Sequence, residues 1–246
     1  MKRSIFGVMI DDIDKKALTR EILKRVKERR RTVIFTPNPI MTQNAKCDPD
    51  FMRILNSSDY NVPDGSGMIL ASRLLKTPLG ERICGIELAE ELLPHFARDG
   101  VRLFLYGGRD GVAREAAARL CKKYEGLKIC GALNGYQSNE DETIRKIKAA
   151  RADAVYVCLG SPKQEKWISE NADKLPKAAL FIGLGGSLDV WSGRVRRAPR
   201  CVQKSGFEWL WRMGASPKKL KSLPKLASFG ISALAKGLSN VGIMHR

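Results

Sequence analysis

Residues 153–160, Asp-Ala-Val-Tyr-Val-Cys-Leu-Gly, are apolar from the second position to the seventh and end on a glycine. A continuous apolar run of this length is typical of a central strand of a parallel sheet, which is buried on both faces. Ser161-Pro162-Lys163-Gln164 follows directly, and serine, proline and glutamine in this order predict a helix that begins with a capping box. The stretch therefore predicts a strand, a turn and a helix in an α/β protein.

The same order of strand, turn and helix repeats on both sides of this stretch. Residues 101–106 precede Gly107-Gly108 and a helix, and residues 179–184 precede Gly185-Gly186. Alternating strands and helices predict a Rossmann-like α/β fold, with a mostly parallel sheet and helices on both faces. The predicted strands are residues 4–10, 32–35, 101–106, 127–132, 153–160 and 179–184.

Three glycine-bearing turns, after residues 106, 159 and 184, follow the carboxyl ends of predicted strands. Open parallel sheets bind ligands at this edge, so a nucleotide is expected there. Gly107 and Gly108 lack the G-x-G-x-x-G spacing in register, which leaves the dinucleotide signal weak. At the second turn, the backbone N–H groups of a helix start beside Lys163 and Gln164 predict a pyrophosphate site.

The run Asn61-Val62-Pro63-Asp64-Gly65-Ser66-Gly67-Met68 places one carboxylate at a sharp change of backbone direction. Pro63 fixes one dihedral angle and Gly65 tolerates a positive φ, so the sequence around Asp64 predicts a turn. Ser66 is the expected N-cap of the helix that follows. Asp64 then either faces the ligand edge of the sheet or, as Asp often does, hydrogen-bonds only its own turn.

Two other polar motifs follow predicted strands. Thr36-Pro37-Asn38-Pro39 holds Thr36 and Asn38 in an extended conformation, and a capped loop is the default interpretation of such a motif. Asp12 and Asp14 form a D-x-D pair, an arrangement that many metal-dependent sugar-nucleotide enzymes use. Acidic residues are also favoured in the first turn of a helix. We interpret the pair as a helix cap and predict neither a metal site nor a cofactor.

The chain of 246 residues carries 44 Lys and Arg against 26 Asp and Glu, a formal net charge of +18. Between Trp191 and Arg246 there are twelve basic residues and one acidic residue, so eleven of the eighteen charges lie in this tail. Such an excess predicts an anionic partner: a membrane surface, a phosphorylated substrate or nucleic acid. We divide the chain into an α/β core, residues 1–193, and a basic appendage, residues 194–246.

The appendage interleaves basic residues with aromatic ones, and Pro224 is expected to begin a final helix. One apolar stripe recurs on this helix at spacings of three and four: Ala227, Ile231, Leu234, Leu238 and Val241. This pattern suits an anionic lipid surface; the alternative is a terminal helix docked on the core with a solvated basic face.

Three further observations predict where the protein works. No stretch approaches the roughly 20 apolar residues that span a bilayer, and the apolar run at the N-terminus is too short for a signal peptide. Six cysteines are scattered without a CxxC pair, which indicates reduced thiols. We therefore predict a cytoplasmic protein that is peripheral on the inner face of the cell membrane.

Seven motifs, taken together, resemble the WecG/TagA/CpsF family of bacterial glycosyltransferases, and most closely its TagA-like members. In order between about residues 4 and 213 they are TPNPIMTQNA, NVPDGSGM, ERICG, FLYGG, LGSPKQEKWI, GLGGSLDVWSG and RRAP followed by GFEWLWRM. The resemblance implies transfer of N-acetylmannosamine from UDP-N-acetylmannosamine to the 4-hydroxyl of N-acetylglucosamine diphosphate undecaprenol. That reaction serves wall teichoic acid linkage-unit or related surface-polysaccharide synthesis. The resemblance also implies inversion of configuration without a metal.

The resemblance implies roles for individual residues. Asp64 is the expected catalytic base, with Thr36 and Asn38 in the same pocket, because displacement at an anomeric carbon needs one carboxylate to accept the proton. The other expected substrate-binding residues lie mostly at sheet-edge turns. Their expected roles are Lys163 and Gln164 for the leaving diphosphate, Tyr136 and Asp189 for uridine, Arg82 for the acceptor diphosphate, and Gly107, Gly108, Gly186 and Arg212 as further contacts.

This chain departs from the family pattern at two places. After Arg212, lysines stand where family members carry arginines, and lysine keeps the charge but loses the bidentate fork. Glu87-Leu88 stands where Asp-Leu is common after the ERxxG motif. The lysines concerned are Lys218, Lys219 and Lys221.

Two alternatives stay open. A different donor within the family, such as UDP-N-acetylmannosaminuronic acid or a UDP-hexose, fits the same motifs. A nucleic-acid-binding protein could use the basic, aromatic tail for phosphate contacts and base stacking. No nucleic-acid motif accompanies that tail, so we predict no nucleic-acid partner. The oligomeric state is open, a homo-oligomer included.

Overall fold

A computed structural model describes residues 1–137, 139–199, 202 and 223–242. The prediction of a single buried strand over residues 4–10 is wrong. Two strands, β1 (Lys2–Ile5) and β2 (Val8–Asp11), pair antiparallel there and form a hairpin. Its turn is Phe6-Gly7, with φ of 51° and 91°. Glycine adopts such a positive φ at little cost. The carboxylate of Asp11 accepts the N–H of Asn61 at 2.8 Å, which ties the hairpin to the main sheet.

The main sheet has six parallel strands, in the spatial order β4-β3-β8-β7-β5-β6. This confirms the α/β fold class and the parallel sheet. The strands are β3 (Thr32–Phe35), β4 (Tyr60–Asn61), β5 (Arg102–Gly107), β6 (Lys128–Leu133), β7 (Ala154–Cys158) and β8 (Leu180–Gly183). Central β7 is buried at all five residues, as its apolar run predicts.

Helices cover both faces of the sheet, because successive side chains of each strand point to opposite sides. On β7, Tyr156 joins one apolar layer while Val155 and Val157 join the other. The helices are α1 (Lys15–Lys27), α2 (Pro39–Cys47), α3 (Pro49–Asn56), α4 (Ser66–Leu74), α5 (Gly85–Asp99), α6 (Val112–Lys123), α7 (Glu140–Ala149), α8 (Lys163–Asn171), α9 (Ser187–Trp191) and α10 (Leu223–Gly242). The first layer contains α1, α5, α6 and α9, and the second contains the hairpin with α2, α3, α4, α7, α8 and α10.

The start of α1 follows the predicted chemistry, whereas the start of α4 near Asp64 does not. Asp14 caps α1 as expected, since its carboxylate accepts the N–H of Ala17 at 2.8 Å. Ser66 is not the N-cap of α4. Gly65 occupies that position with φ 96°, and Ser66 is the first helical residue. The turn at Gly65 therefore extends one residue less than the sequence pattern indicates.

The final helix, α10, docks on α2 and α4 through a face that the sequence analysis did not single out. Phe229 and Ala233 are only 3% and 2% exposed, and the Phe229 ring meets Phe6 edge-on at 5.4 Å between centroids. A Cβ at Gly237 would lie 2.8 Å from the carbonyl oxygen of Leu74, so glycine permits this close approach. Among the described residues, no helix combines the length and apolar character needed to cross a membrane.

Candidate functional site

Asp64 lies where three loops meet at the carboxyl edge of the sheet. Its backbone N–H donates to the carbonyl of Pro37 at 2.9 Å, which joins the turn after β4 to the turn after β3. The N–H of Ile83 donates to the carbonyl of Pro63 at 3.0 Å, which adds the loop before α5. Asp64 is half-buried. The carboxylate is thus carried by a backbone that is fixed on both sides.

Thr36 and Asn38 stand in the same place but are held differently. Thr36 is 7% exposed, and a Cβ at Gly85 would lie 3.1 Å from its hydroxyl oxygen, so the start of α5 packs directly against it. The side-chain oxygen of Asn38 accepts the N–H groups of Ile40 and Met41, each at 3.0 Å. The capped loop expected by default is therefore present, and it holds Asn38 beside the turn that carries Asp64.

Three helix N-termini converge on this place. Helix α2 begins at Pro39, α4 begins at Ser66 and α5 begins at Gly85. A Cβ at Gly67 would lie 2.8 Å from the Pro39 ring, which shows how closely the first two meet. Helix N-termini carry a partial positive charge and attract anions. Half-buried Arg82 precedes α5 by three residues. We call Thr36, Asn38, Asp64, Arg82 and these helix starts the Asp64 pocket.

A second site lies between the neighbouring strands β5 and β7. The connection after β5 leads to β6 on one side of this pair, and the connection after β7 leads to β8 on the other side. Such a reversal is where open α/β sheets bind nucleotides. Gly107 ends β5 with φ 136°, and a Cβ there would lie 2.2 Å from the carbonyl oxygen of Cys158. The N–H of Gly108 donates to that oxygen at 3.2 Å, and the N–H of Gly135 donates to the Gly108 carbonyl at 2.8 Å. Bare backbone therefore meets here without intervening side chains.

The two residues predicted to hold uridine, Tyr136 and Asp189, flank these glycines. Tyr136 directly follows Gly135 and is 76% exposed, so its ring is free to stack on a base. Asp189 on α9 lies close enough to Cys158 to influence the pKa of that thiol, and a Cβ at Gly186 would lie 3.6 Å from an Asp189 carboxylate oxygen. We call Gly107, Gly108, Gly135, Tyr136, Gly186 and Asp189 the glycine crevice. Three strand spacings, about 14 Å, separate its β5 side from β3.

The capping box predicted at the start of α8 is wrong. Pro162 stands at the N-cap position, no side chain caps the helix, and α8 begins at Lys163, which is exposed. Gln164 is 4% exposed and turns toward the sheet, where its side-chain oxygen accepts the N–H of Gly185 at 2.8 Å. A glutamine that is buried against the loop after β8 cannot reach back to cap its own helix.

Other titratable groups near the two sites have structural partners. Burial raises the pKa of the Cys158 thiol to about 12, so it stays protonated at neutral pH and is a poor nucleophile. The Asp12 carboxylate accepts the N–H of Gly80 at 3.0 Å, while Asp14 caps α1. Within the described ranges, no three His, Cys, Asp or Glu side chains gather as metal ligands. Both members of the D-x-D pair thus bond to backbone.

Two features of the site were missed by the sequence analysis. Glu165 is fully buried, and a signal for it existed, because Gln164, Glu165 and Ile168 share one helix face. Arg197 donates to the Glu87 carboxylate at 2.5 Å, which links the segment after α9 to the first turn of α5. The changed family position, Glu87, therefore has a partner. Arg212 and the lysines at 218, 219 and 221 lie outside the described residues, so the predictions for them are not tested.

Comparison with known proteins gives a consistent result. A family model described as the glycosyl transferase WecG/TagA/CpsF family matches residues 3–241. A Bacillus subtilis protein named N-acetylglucosaminyldiphosphoundecaprenol N-acetyl-beta-D-mannosaminyltransferase is 38% identical over 198 residues, which cover 79% of this chain and 77% of that protein. A Staphylococcus aureus protein of the same name is 35% identical over 195 residues, covering 78% of this chain and 76% of that protein.

Proposed function

Because this chain belongs to the WecG/TagA/CpsF family and is a glycosyltransferase, we propose that it moves N-acetylmannosamine from UDP-N-acetylmannosamine to lipid-linked N-acetylglucosamine diphosphate. The relatives' names support the sugar and the undecaprenyl acceptor. The observation that carries the proposal is the Asp64 pocket, one half-buried carboxylate among three helix N-termini. The product enters wall teichoic acid or a related surface polysaccharide.

Asp64 acts as the base in a single displacement. The acceptor hydroxyl oxygen attacks the anomeric carbon while Asp64 takes its proton. The bond from that carbon to the UDP oxygen breaks, and its electron pair leaves with UDP. Attack opposite the leaving group inverts the configuration. Thr36 and Asn38 line the side from which the acceptor arrives, and the fixed backbone of Asp64 keeps the base in place, because a well-positioned base contributes roughly 10²–10⁴-fold.

The leaving diphosphate is stabilised by the protein without a metal ion. The N-termini of α2, α4 and α5 supply positive charge where negative charge develops on the leaving group, and the Arg82 guanidinium meets the diphosphate of the acceptor. Exposed Lys163 at the start of α8 adds a cation nearer the glycine crevice. The backbone N–H groups that Asp12 and Asp14 accept support this view, since they give both carboxylates a structural role that needs no divalent cation.

The glycine crevice holds the nucleotide half of the donor. Backbone exposed at Gly107 and Gly108 lets the diphosphate approach closely, and Tyr136 and Asp189 are placed to stack on and hydrogen-bond the uridine. The roughly 14 Å between β3 and β5 is a span that a nucleotide diphosphate sugar bridges, with its anomeric carbon toward Asp64. Gly186 borders the same opening.

A membrane surface supplies the lipid-linked acceptor. On α10, Ile231, Leu234 and Leu238 are 67%, 54% and 73% exposed although the helix is docked. We call these three the apolar stripe; the side chain of Val241 is not among those described. Exposed apolar patches of this kind mark membrane or partner surfaces. Leu70 on α4, 61% exposed, lies four residues or about 6 Å of helix beyond Ser66, the first residue of that helix. The acceptor's diphosphate thus reaches the pocket while its lipid stays in the bilayer.

A UDP-release assay tests the activity. Purified protein, UDP-N-acetylmannosamine and a short-chain lipid acceptor analogue should release UDP, and Asp64→Asn should lower kcat roughly 10³-fold because the base is lost. Asp50→Asn changes an exposed carboxylate on α3; it is the matched control and should behave as the wild type. EDTA should leave the rate within about twofold, because charge stabilisation comes from the protein.

The same assay separates the competing donors and states how the proposal fails. UDP-N-acetylmannosaminuronic acid and a UDP-hexose, each offered alone, should release UDP at least tenfold more slowly than UDP-N-acetylmannosamine. Absence of UDP release, or equal release by Asp64→Asn, contradicts the proposed function. Faster turnover of another donor would reassign the sugar while keeping the enzyme class.

A further inference from the structure

Gln164 and Glu165 form a buried polar pair at the start of α8. Gln164 is 4% exposed and Glu165 is fully buried. Among the described residues, the Glu165 carboxylate oxygen Oε2 has no partner at hydrogen-bond geometry, although the Ser161 side chain and the Glu165 N–H lie near enough to lower the pKa of the carboxyl. Carboxylic acids are almost never buried completely unless paired, because losing water costs several kcal/mol. A methionine or leucine would fill this place at less cost, so the acid needs a reason beyond packing.

The geometry of the pair sets the orientation of one amide. Gln164 Nε2 donates to Glu165 Oε1 at 2.7 Å, while Gln164 Oε1 accepts the N–H of Gly185 at 2.8 Å. If the amide were turned over, its oxygen would face the Glu165 oxygen and its NH₂ group would face the Gly185 N–H, and both hydrogen bonds would be lost. Glu165 therefore selects the orientation in which Gln164 can hold Gly185.

In the loop after β8, the N–H of Gly185 is held by a side chain from another element, whereas Leu184 and Ser187 on either side are buried. Gly185 has φ 52°, and a Cβ built there would meet nothing within 4 Å. The Gly185 peptide is held instead by Gln164, whose amide also packs over Gly183, where a Cβ would lie 2.9 Å from Nε2. Gly186 and α9 with Asp189 follow immediately. The pair thus joins the start of α8 to one wall of the glycine crevice.

We propose that Glu165 is a positioning residue for the donor: it orients the Gln164 amide, which holds the Gly185 peptide and keeps the loop from β8 to Asp189 in the arrangement that binds UDP. This inference rests on the proposed function, because it takes UDP as the ligand of the crevice. Glu165 acts through Gln164 and need not touch the nucleotide. Burial raises the pKa of the Glu165 carboxyl, while the Gln164 hydrogen bond opposes that rise.

UDP titration of the full-length protein by calorimetry tests this inference. Glu165→Met removes the acceptor at similar volume and should raise the Kd for UDP about tenfold. Glu165→Gln keeps an oxygen that accepts from Gln164 and should leave the Kd within twofold. Gln164→Met should raise the Kd for UDP as much as Glu165→Met does. The double variant should have the same Kd as either single variant, because both changes break the same chain of hydrogen bonds. Glu170→Met, exposed on the same helix, is the matched control.

The outcomes are distinct. A merely structural role would lower the Tm of Glu165→Met while its UDP affinity stayed at the wild-type value, and that result overturns the inference. Loss of affinity in Glu165→Gln as large as in Glu165→Met also overturns it. If Glu165→Met does not fold, the inference stands only if Glu165→Gln binds normally and Gln164→Met binds about tenfold more weakly; any other result overturns it. Wild-type protein that binds no UDP would overturn the proposed donor and this inference together.

Discussion

The Asp64 pocket and the glycine crevice share one edge of the sheet but are built by opposite means. The pocket is made of side chains on turns that proline and backbone hydrogen bonds hold, such as the bond from the Asp64 N–H to Pro37. The crevice is made by absent side chains, since a Cβ at Gly107 would overlap the Cys158 carbonyl. A rigid carboxylate suits proton transfer, whereas bare backbone suits a diphosphate. The difference indicates that catalysis and donor binding can be damaged separately.

The largest expected effect comes from filling the crevice. Gly107→Ala places a methyl group only 2.2 Å from the carbonyl oxygen of Cys158. This overlap should lower the free energy of unfolding by about 3 kcal/mol or more. UDP binding should be lost with it. Urea unfolding and UDP titration measure the two effects.

Gly160→Ala is the matched control for Gly107→Ala, because Gly160 also has a positive φ of 78° but meets nothing within 4 Å of its Cβ position. Gly160→Ala should lower the free energy of unfolding by only about 1–2 kcal/mol. Equal destabilisation by the two alanines would show that backbone conformation, rather than close approach, explains the glycine at 107.

Damage to the pocket alone should leave donor binding intact. Arg82→Ala removes a cation from beside the Asp64 turn and should lower kcat/KM for the acceptor about 100-fold, with the Kd for UDP unchanged. Arg82→Lys should lower kcat/KM for the acceptor by less, because lysine keeps the positive charge although it lacks the planar guanidinium fork. Arg73→Ala, exposed on α4, is the control and should retain activity. Weaker UDP binding in Arg82→Ala would contradict the separation of the two sites.

The apolar stripe should matter for vesicles and not for soluble substrates. Leu234→Asn with Leu238→Asn removes two exposed side chains, each worth about 1.5 kcal/mol when buried in lipid, and should reduce binding to anionic vesicles at least tenfold. Activity on a short-chain acceptor should stay within twofold. Vesicle flotation measures binding, with Ala235→Asn as the control on the same helix.

The flotation experiment also tests the nucleic-acid alternative. An oligonucleotide titrated over a salt series should show no binding that competes with anionic vesicles at physiological salt. Tight oligonucleotide binding together with unchanged flotation of the stripe variant would favour a nucleic-acid surface over a membrane surface.

The smallest expected effect concerns pH and the crevice wall. Because the folded-state pKa of Glu165 is raised above its ordinary value of 4.5, its contribution to stability is full below that value and is lost as pH rises through the folded pKa. Glu165→Gln removes this dependence. The free energy of unfolding of Glu165→Gln should therefore increase relative to that of the wild type as pH rises. The increase should be about 1.4 kcal/mol for each pH unit between the ordinary and the folded-state pKa of Glu165. Parallel curves in urea unfolding at several pH values would contradict the prediction.

Several elements could be predicted because their signals are local. The apolar run of β7 and the cap at Asp14 follow from neighbouring residues, and both are present. The hairpin around Phe6-Gly7 could not be found in the same way, because a strand run with one glycine is equally compatible with a continuous strand. Gln164 was placed at a helix start, yet its partner proved to be Gly185, 21 residues away.

The two faces of α10 show the same limit. The spacing of three and four correctly marks a stripe of Ile231, Leu234 and Leu238, but the docked face is formed by Phe229, Ala233 and Gly237. Both faces are apolar enough to pack, so the choice depends on the shape of α2 and α4. The division of the chain at residue 193 stays a prediction.

The sequence by itself determined the alternation of strands and helices, the turn that carries Asp64 and the positive charge of the tail, because each depends on residues close together in the chain. Only the tertiary structure decided the strand order, the meeting of three helix N-termini at Asp64 and the hold of Gln164 and Glu165 on Gly185. These features join segments that are distant in sequence, and close packing and hydrogen-bond satisfaction select their partners in space.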